Sequence, residues 1–175
     1  MITTERLVLR PFGAQDLPKF VAYRSHPEVA RYQSWDTAFS MADAERFLDS
    51  QEGLELGNPE WLQLAAVDRA TGELCGDCAV RVVDRSAELG VTLAPAHQGR
   101  GLASEALAAV IARLFSEHDV HRIHAETDDR NTGVHRLFER LGFRCEARLV
   151  EADWFKDEWT TLRIYALLRR EWELR

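Results

Sequence analysis

Residues 97 to 106 read His-Gln-Gly-Arg-Gly-Leu-Ala-Ser-Glu-Ala, and the two glycines one residue apart, Gly99 and Gly101, are where this 175-residue chain most directly suggests chemistry. Glycine costs conformational entropy on folding, so such a pair marks backbone that must approach something closely. The run after it is helical in pattern. A loop of small residues entering a helix N-terminus turns unpaired N–H groups one way, at the positive end of the helix dipole, and makes an anion site. Phosphate is the natural guest. Arg100 can add charge, while Gly99 and Gly101 let oxygen atoms reach the amides. Two nucleotide motifs fail on spacing: the P-loop needs four residues between its glycines and then Lys-Ser/Thr, and the dinucleotide fingerprint needs a third small residue at an offset that Ala103 misses.

The other reactive side chains point to packing. Cys75-Gly76-Asp77-Cys78 has a redox or zinc spacing, but "ELCGDCAVRV" reads as a strand and no second cysteine pair follows, so both thiols are expected in the core. Cys145 is expected to pack beside Phe143. His97, His118, His121, His124 and His135 form no metal-ligand pattern, and no metal is expected. The formal net charge of −7 and the lack of a basic stripe argue against direct nucleic-acid binding and favour a cationic partner such as an amine. "MITTERLVLRPF" lacks the layout of a secretory signal and no apolar run is long enough to span a bilayer, so a cytoplasmic protein with no membrane partner is expected.

The elements that must position the loop follow from periodicity. Leu7 and Leu9 alternate with polar neighbours, predicting a first strand. Asp16 is placed to cap a helix carrying Leu17, Phe20 and Val21, which His26-Pro27 ends. Ser40 to Asp43 resembles a capping start for a helix carrying Ala44, Phe47, Leu48 and Gln51. "WLQLAAV", "ELCGDCAVRV" and "AELGVTL" then form an antiparallel meander. A helix from about Ser104 to His118 leads to a strand "RIHAET", so strand, loop, helix and strand make a crossover between parallel strands. A last helix with Val134, Leu137, Phe138 and Leu141 stops at Gly142, and "WTTLRIYALL" is a long final strand. The chain reads as one α+β domain, residues 1–175, with a mixed, mostly antiparallel sheet.

Gln98-Gly99-Arg100-Gly101-Leu102-Ala103 resembles the pyrophosphate loop of the GNAT acyltransferase superfamily, and Asn131 with "RLFERLGF" resembles its later motif at matching spacing. "RLVLRPF", "RYQSW" and "LLRREW" are similar to the RimJ/RimL-type branch, bacterial enzymes that acetylate the N-termini of ribosomal proteins. The resemblance covers nearly the whole chain. It implies acetyl-CoA as cosubstrate, with the CoA pyrophosphate on the amides from Gln98 to Ala103, and a parallel strand pair that splays apart to admit pantetheine. Val91, Thr92 and Leu93 would pair with the pantetheine amides, and Gly90 would supply the bulge that opens the gap. Asn131 contacts the cofactor or caps the last crossover helix.

The family's chemistry is direct attack of an amine on the thioester. By that resemblance the Leu93 amide is the oxyanion donor, and Glu88 is the candidate general base, against a plain surface role; Glu126 and Asp128 are weaker alternatives. Tyr32, Trp35 and Trp154 would line the acceptor pocket, against ordinary packing. The acid departs from the pattern. Phe138, beside the cofactor, stands where many relatives have tyrosine, and Val134 where this branch often has serine. Another group protonates the sulfur, the thiolate leaves unaided, or the protein is a CoA-binding sensor without turnover; a nucleotide-binding module is the remaining reading. The expected acceptor is a primary amine, on a protein N-terminus or a small molecule. Whether two chains pair as a homodimer is left open.

Overall fold

The computed structural model describes residues 1–175. Two short N-terminal strands, β1 (Ile2–Thr3) and β2 (Leu7–Pro11), precede three helices, α1 (Leu17–Arg24), α2 (Pro27–Ala30) and α3 (Met41–Ser50). The meander is β3 (Leu62–Asp68), β4 (Leu74–Val83) and β5 (Ser86–Leu93). Then come α4 (Leu102–Glu117), β6 (Arg122–Asp128), α5 (Thr132–Arg140), β7 (Arg144–Phe155), β8 (Glu158–Leu168) and α6 (Arg169–Trp172). One eight-stranded sheet runs in the order β1-β2-β3-β4-β5-β6-β8-β7. Every neighbouring pair is antiparallel except β5 with β6. No helix is long and apolar enough to cross a membrane.

The main core lies under α4, whose Ala106, Leu107, Val110, Ile111 and Leu114 recur at helical spacing and are fully buried. They meet Leu7, Leu9, Val80 and Ile123 from the strands. Each of the leucine, valine and isoleucine side chains contributes about 1.5–3 kcal/mol on burial, so this face fixes α4 on the sheet and with it the loop at its head. A second core covers the β3–β4 end, where α1 and α3 bring Phe20 and Phe47 to a 4.6 Å ring separation. Ser40 caps α3 as its sequence suggests, accepting from Asp43 N while Asp43 accepts from Ser40 N.

Several expectations need correction. Asp16 does not cap α1 through its side chain; that carboxylate is taken by Arg10 and by Gly13 N. Pro27 ends one helix but opens the next, since its fixed φ suits a first turn. Gly90 carries no bulge: the β4–β5 register runs unbroken through Ala79↔Gly90, and the irregularity lies between β3 and β4 at Ala66/Val67. Cys145 is exposed rather than packed beside Phe143. The meander cysteines, Cys75 and Cys78, are buried as read, and burial pushes the Cys78 thiol far up.

Candidate active site

The loop begins where β5 ends. Gly101 (φ +78°) is the N-cap of α4 and Gly99 (φ +71°) precedes it, both in the left-handed region that costs an L side chain strain. The N–H groups of Gly99, Arg100, Gly101, Leu102, Ala103 and Ser104 have no acceptor within the chain, whereas Glu105 N is the first of the run to be bonded, to Gly101 O. Gln98 differs from expectation: its N–H is satisfied by Pro95 O at 3.2 Å, and its side-chain Nε2 donates to Leu93 O at 3.0 Å. A Cβ built on Gly99 meets nothing within 4 Å, so the space before the loop is open.

That space is a cavity of about 510 Å³ running from Gly99, Gly101, Leu102 and Ala103 past Val91 and Leu93 to α5. Arg100 does not line it, because its side chain turns outward toward His97. Arg136 and Arg140 do line it, supplying the positive charge that Arg100 does not.

The gap beside β5 opens because β6 pairs with it only at Ser86, Ala87 and Glu88. Ala94 N bonds Cys75 O, extending the β4–β5 register, so Thr92 and Gly90 also direct their peptide groups to β4. Val91 and Leu93, between them, face the gap. Thr92 therefore contributes a wall of the cavity but no backbone donor. Leu93 O is covered by Gln98, and Leu93 N is left facing the opening.

A second cavity, of about 490 Å³, lies on the other side of the gap and shares Tyr32, Gln33, Val91, Asn131 and Val134 with the first. Asn131 caps α5, its Oδ1 accepting from Val134 N at 3.3 Å, and it also lines the two cavities. Phe138 closes the inner end, buried against Phe143 and Tyr165 at ring separations of 5.0 and 5.8 Å. Neither it nor Val134 carries a proton to give. Glu126, Asp128 and Asp153 add carboxylates to the lining. Burial raises the Asp128 pKa, but hydrogen bonds from Arg130 outweigh it and hold the carboxyl below the ordinary range.

Glu88 is not in the wall of either cavity. It sits two residues before Gly90 and so on the same sheet face, about 7 Å along the strand. Arg81 Nε and Nη2 hold its Oε2 at 2.8 and 2.6 Å, and His124 Nε2 lies 3.9 Å from the same oxygen. Its Oε1 has no donor from the protein. Trp35 and Trp154 do not line either cavity. Trp35 stacks on the Arg24 guanidinium at 3.8 Å and donates Nε1–H to Arg24 O, while Trp154 points out of the β7–β8 hairpin against Trp159. Strand alternation instead turns Asp153 and Phe155 inward.

The glycine loop heads a cavity that passes between two splayed parallel strands, and the sequence that builds it matches a known family. The family described as "Acetyltransferase (GNAT) domain" matches residues 6–144. This chain belongs to the GNAT acetyltransferases. It is an acetyl-CoA-dependent N-acetyltransferase of that family. The N-acetyltransferase p20 of Bacillus licheniformis is 28% identical over 172 residues, 97% of this chain and 96% of the relative. A crystal structure of a GNAT-family acetyltransferase from Bacillus anthracis superposes with a TM-score of 0.88 at 26% identity, over 97% of this chain and 98% of the other. The fold is shared also by the spermidine N-acetyltransferase of Vibrio cholerae, solved with CoA and spermine, at a TM-score of 0.83 and 20% identity over 96% and 98% of the two chains.

Sequence reasoning missed part of this acetyltransferase's site. Gly133, Arg136, Leu137 and Arg140 fall three, four and seven residues apart on one face of α5, a spacing that pointed to it once the helix was recognised. Asp153 and Phe155 gave no such signal.

Proposed function

We propose that this acetyltransferase moves the acetyl group of acetyl-CoA to a primary amine, on a protein N-terminus or a small molecule, by direct attack on the thioester. One observation carries the reading: six consecutive N–H groups without an internal acceptor head a cavity that continues through the β5–β6 gap into a second one. The donor set fits a diphosphate, since backbone amides and the helix dipole supply directed positive charge and Arg136 and Arg140 add two cations. Val91, with the Leu93 N–H, borders the slot for pantetheine, and the thioester carbonyl would meet that N–H as the oxyanion donor.

The amine would come from the second cavity, past Tyr32. Glu126 and Asp153 give that cavity a field that favours an acceptor carrying positive charge. Glu88 would take the proton through a water on its free Oε1, because it stands one two-residue step from the gap. The chain's own side chains place no acid at the sulfur, so departure of the thiolate rests on solvent or on the nearby positive field.

The test is release of free CoA thiol from acetyl-CoA in the presence of spermidine, spermine, an aminoglycoside and peptides with free N-termini. Turnover on one of them is expected. Binding of acetyl-CoA with no thiol release across the panel overturns the reading.

A further inference from the structure

The anion loop is held from outside by residues almost a hundred positions away. Arg6 donates from its backbone N to Glu105 Oε1 at 2.7 Å and from Nε to Oε2 at 2.6 Å, and its Nη1 donates to Arg100 O at 2.9 Å. Thr4 Oγ1 adds a bond to Glu105 Oε1 at 2.6 Å. Arg6 is itself fixed, since Arg69 N donates to Arg6 O at 2.9 Å and Arg69 Nη1 to Thr4 O at 2.7 Å. Burial pushes the Glu105 carboxyl up, but the bonds from Thr4 and Arg6 bring it below its ordinary value.

The contact with Arg100 O matters most, because a trans peptide turns its C=O and the next N–H in opposite directions. Holding Arg100 O on the outside therefore aims Gly101 N–H inward. Nothing else in the loop does this. Gly99 and Gly101 leave the intervening peptides free to rotate. A flip of the Arg100–Gly101 peptide would place a carbonyl oxygen where the diphosphate must sit. Arg6 also neutralises Glu105, whose carboxylate otherwise stands in the first turn of the anion-binding helix.

We propose that Arg6 is a positioning residue which, with Glu105 and Thr4, locks the Arg100–Gly101 peptide with its N–H toward the cofactor and so sets the affinity for CoA. This rests on the assignment of the loop to the CoA diphosphate. The lock acts on the diphosphate alone, so ligands without one are indifferent to it.

The experiment titrates the wild type, Arg6→Ala, Glu105→Gln and the double variant with CoA and, separately, with pantetheine, following amide shifts by NMR and the melting temperature. Arg6→Ala is expected to weaken CoA about tenfold and pantetheine by less than about twofold. The double variant should bind CoA no worse than Arg6→Ala alone, because both changes break one device and the second removes the bared carboxylate. Equal losses for the two ligands, unchanged CoA affinity, or additive losses overturn the lock. Should Arg6→Ala fail to fold, Arg6→Met serves: it keeps the apolar length of the stem but carries no donor for Arg100 O, and the same selective loss is expected. Gly99→Val separates the two layers, because Gly99 lines the cavity and a Cβ there meets nothing within 4 Å, leaving Arg6 untouched. If it leaves CoA affinity intact, the loop assignment itself is wrong; if it abolishes binding while the Arg6 variants bind normally, only the lock is wrong.

Discussion

Arg81 grips Glu88 Oε2 through two nitrogens across the β4–β5 pair, where the two residues stand directly opposite each other. The grip leaves one carboxylate oxygen fixed and the other free on the face that carries Gly90. A carboxylate held this way can receive a proton without moving. Glu88→Gln is accordingly expected to lower kcat about a hundredfold while changing CoA affinity less than about twofold, and Glu126→Gln to lower kcat less than about threefold. Steady-state kinetics beside calorimetric CoA binding checks the pair; the reverse ranking would move the base to β6.

Gly101→Val asks a β-branched side chain to adopt φ +78°. Strain of about 1–2 kcal/mol should appear as a modest fall in melting temperature. CoA affinity is expected to fall about tenfold, because a Cβ on Gly101 lies 3.5 Å from Arg6 Nη2 and a branched side chain pushes on the guanidinium that holds Arg100 O. Calorimetry and thermal unfolding of one preparation measure both.

The Tyr23 hydroxyl donates to Asp77, which is fully buried between the sheet and α1. Burial pushes the Asp77 carboxyl up, against the opposing pull of Arg24 and Tyr23. Tyr23→Phe strips that carboxyl of its hydrogen bond and is expected to cost about 2 kcal/mol in urea unfolding, with CoA affinity preserved.

Glu146 is the opposite case. Hydrogen bonds from Arg122, joined by Arg144 and opposed by desolvation, lower its carboxyl to about 2. A depressed folded pKa gives stability that is present above the unfolded value, near 4.5, and is lost as pH falls through about 2. The difference in urea midpoint between wild type and Glu146→Gln should be constant above about pH 5 and vanish toward about pH 2. A difference that persists at the acid end would refute the ion-pair assignment.

Lys156, at the β7–β8 turn, reaches across to Ala30 O at 2.5 Å and Trp35 O at 2.8 Å. These bonds clasp the segment holding Tyr32 and Gln33 over both cavities. Lys156→Met should raise KM for the acceptor several-fold, with CoA affinity unchanged, in the assay that identifies the acceptor.

The parts of this fold that were legible are those where one face is buried. The α4 stripe, the meander and the glycine loop each carry a period or a backbone demand that few residue types meet. β7 was not anticipated. It is an edge strand, mostly exposed, and register shifts at Cys145/Ala147 and Leu149/Asp153 break the alternation that would announce it. The wall of the second cavity is obscure for the same reason: Trp154 and Phe155 are neighbours of like composition, and only the register of the hairpin decides which one turns inward. Trp35 was misplaced because an aromatic in a polar loop suits a ligand wall and a cation stack equally, and Arg24 claims it.

With only three residues of β5 paired to β6, the sheet's backbone is two plates, five strands and three, meeting along a short hinge line. A donor seated as proposed along Val91 and Leu93 would fill the remainder of that line as though it were an added strand. Such a donor would bridge the two plates while bound, so part of the energy of gripping it would appear as stiffness of the sheet and not as affinity.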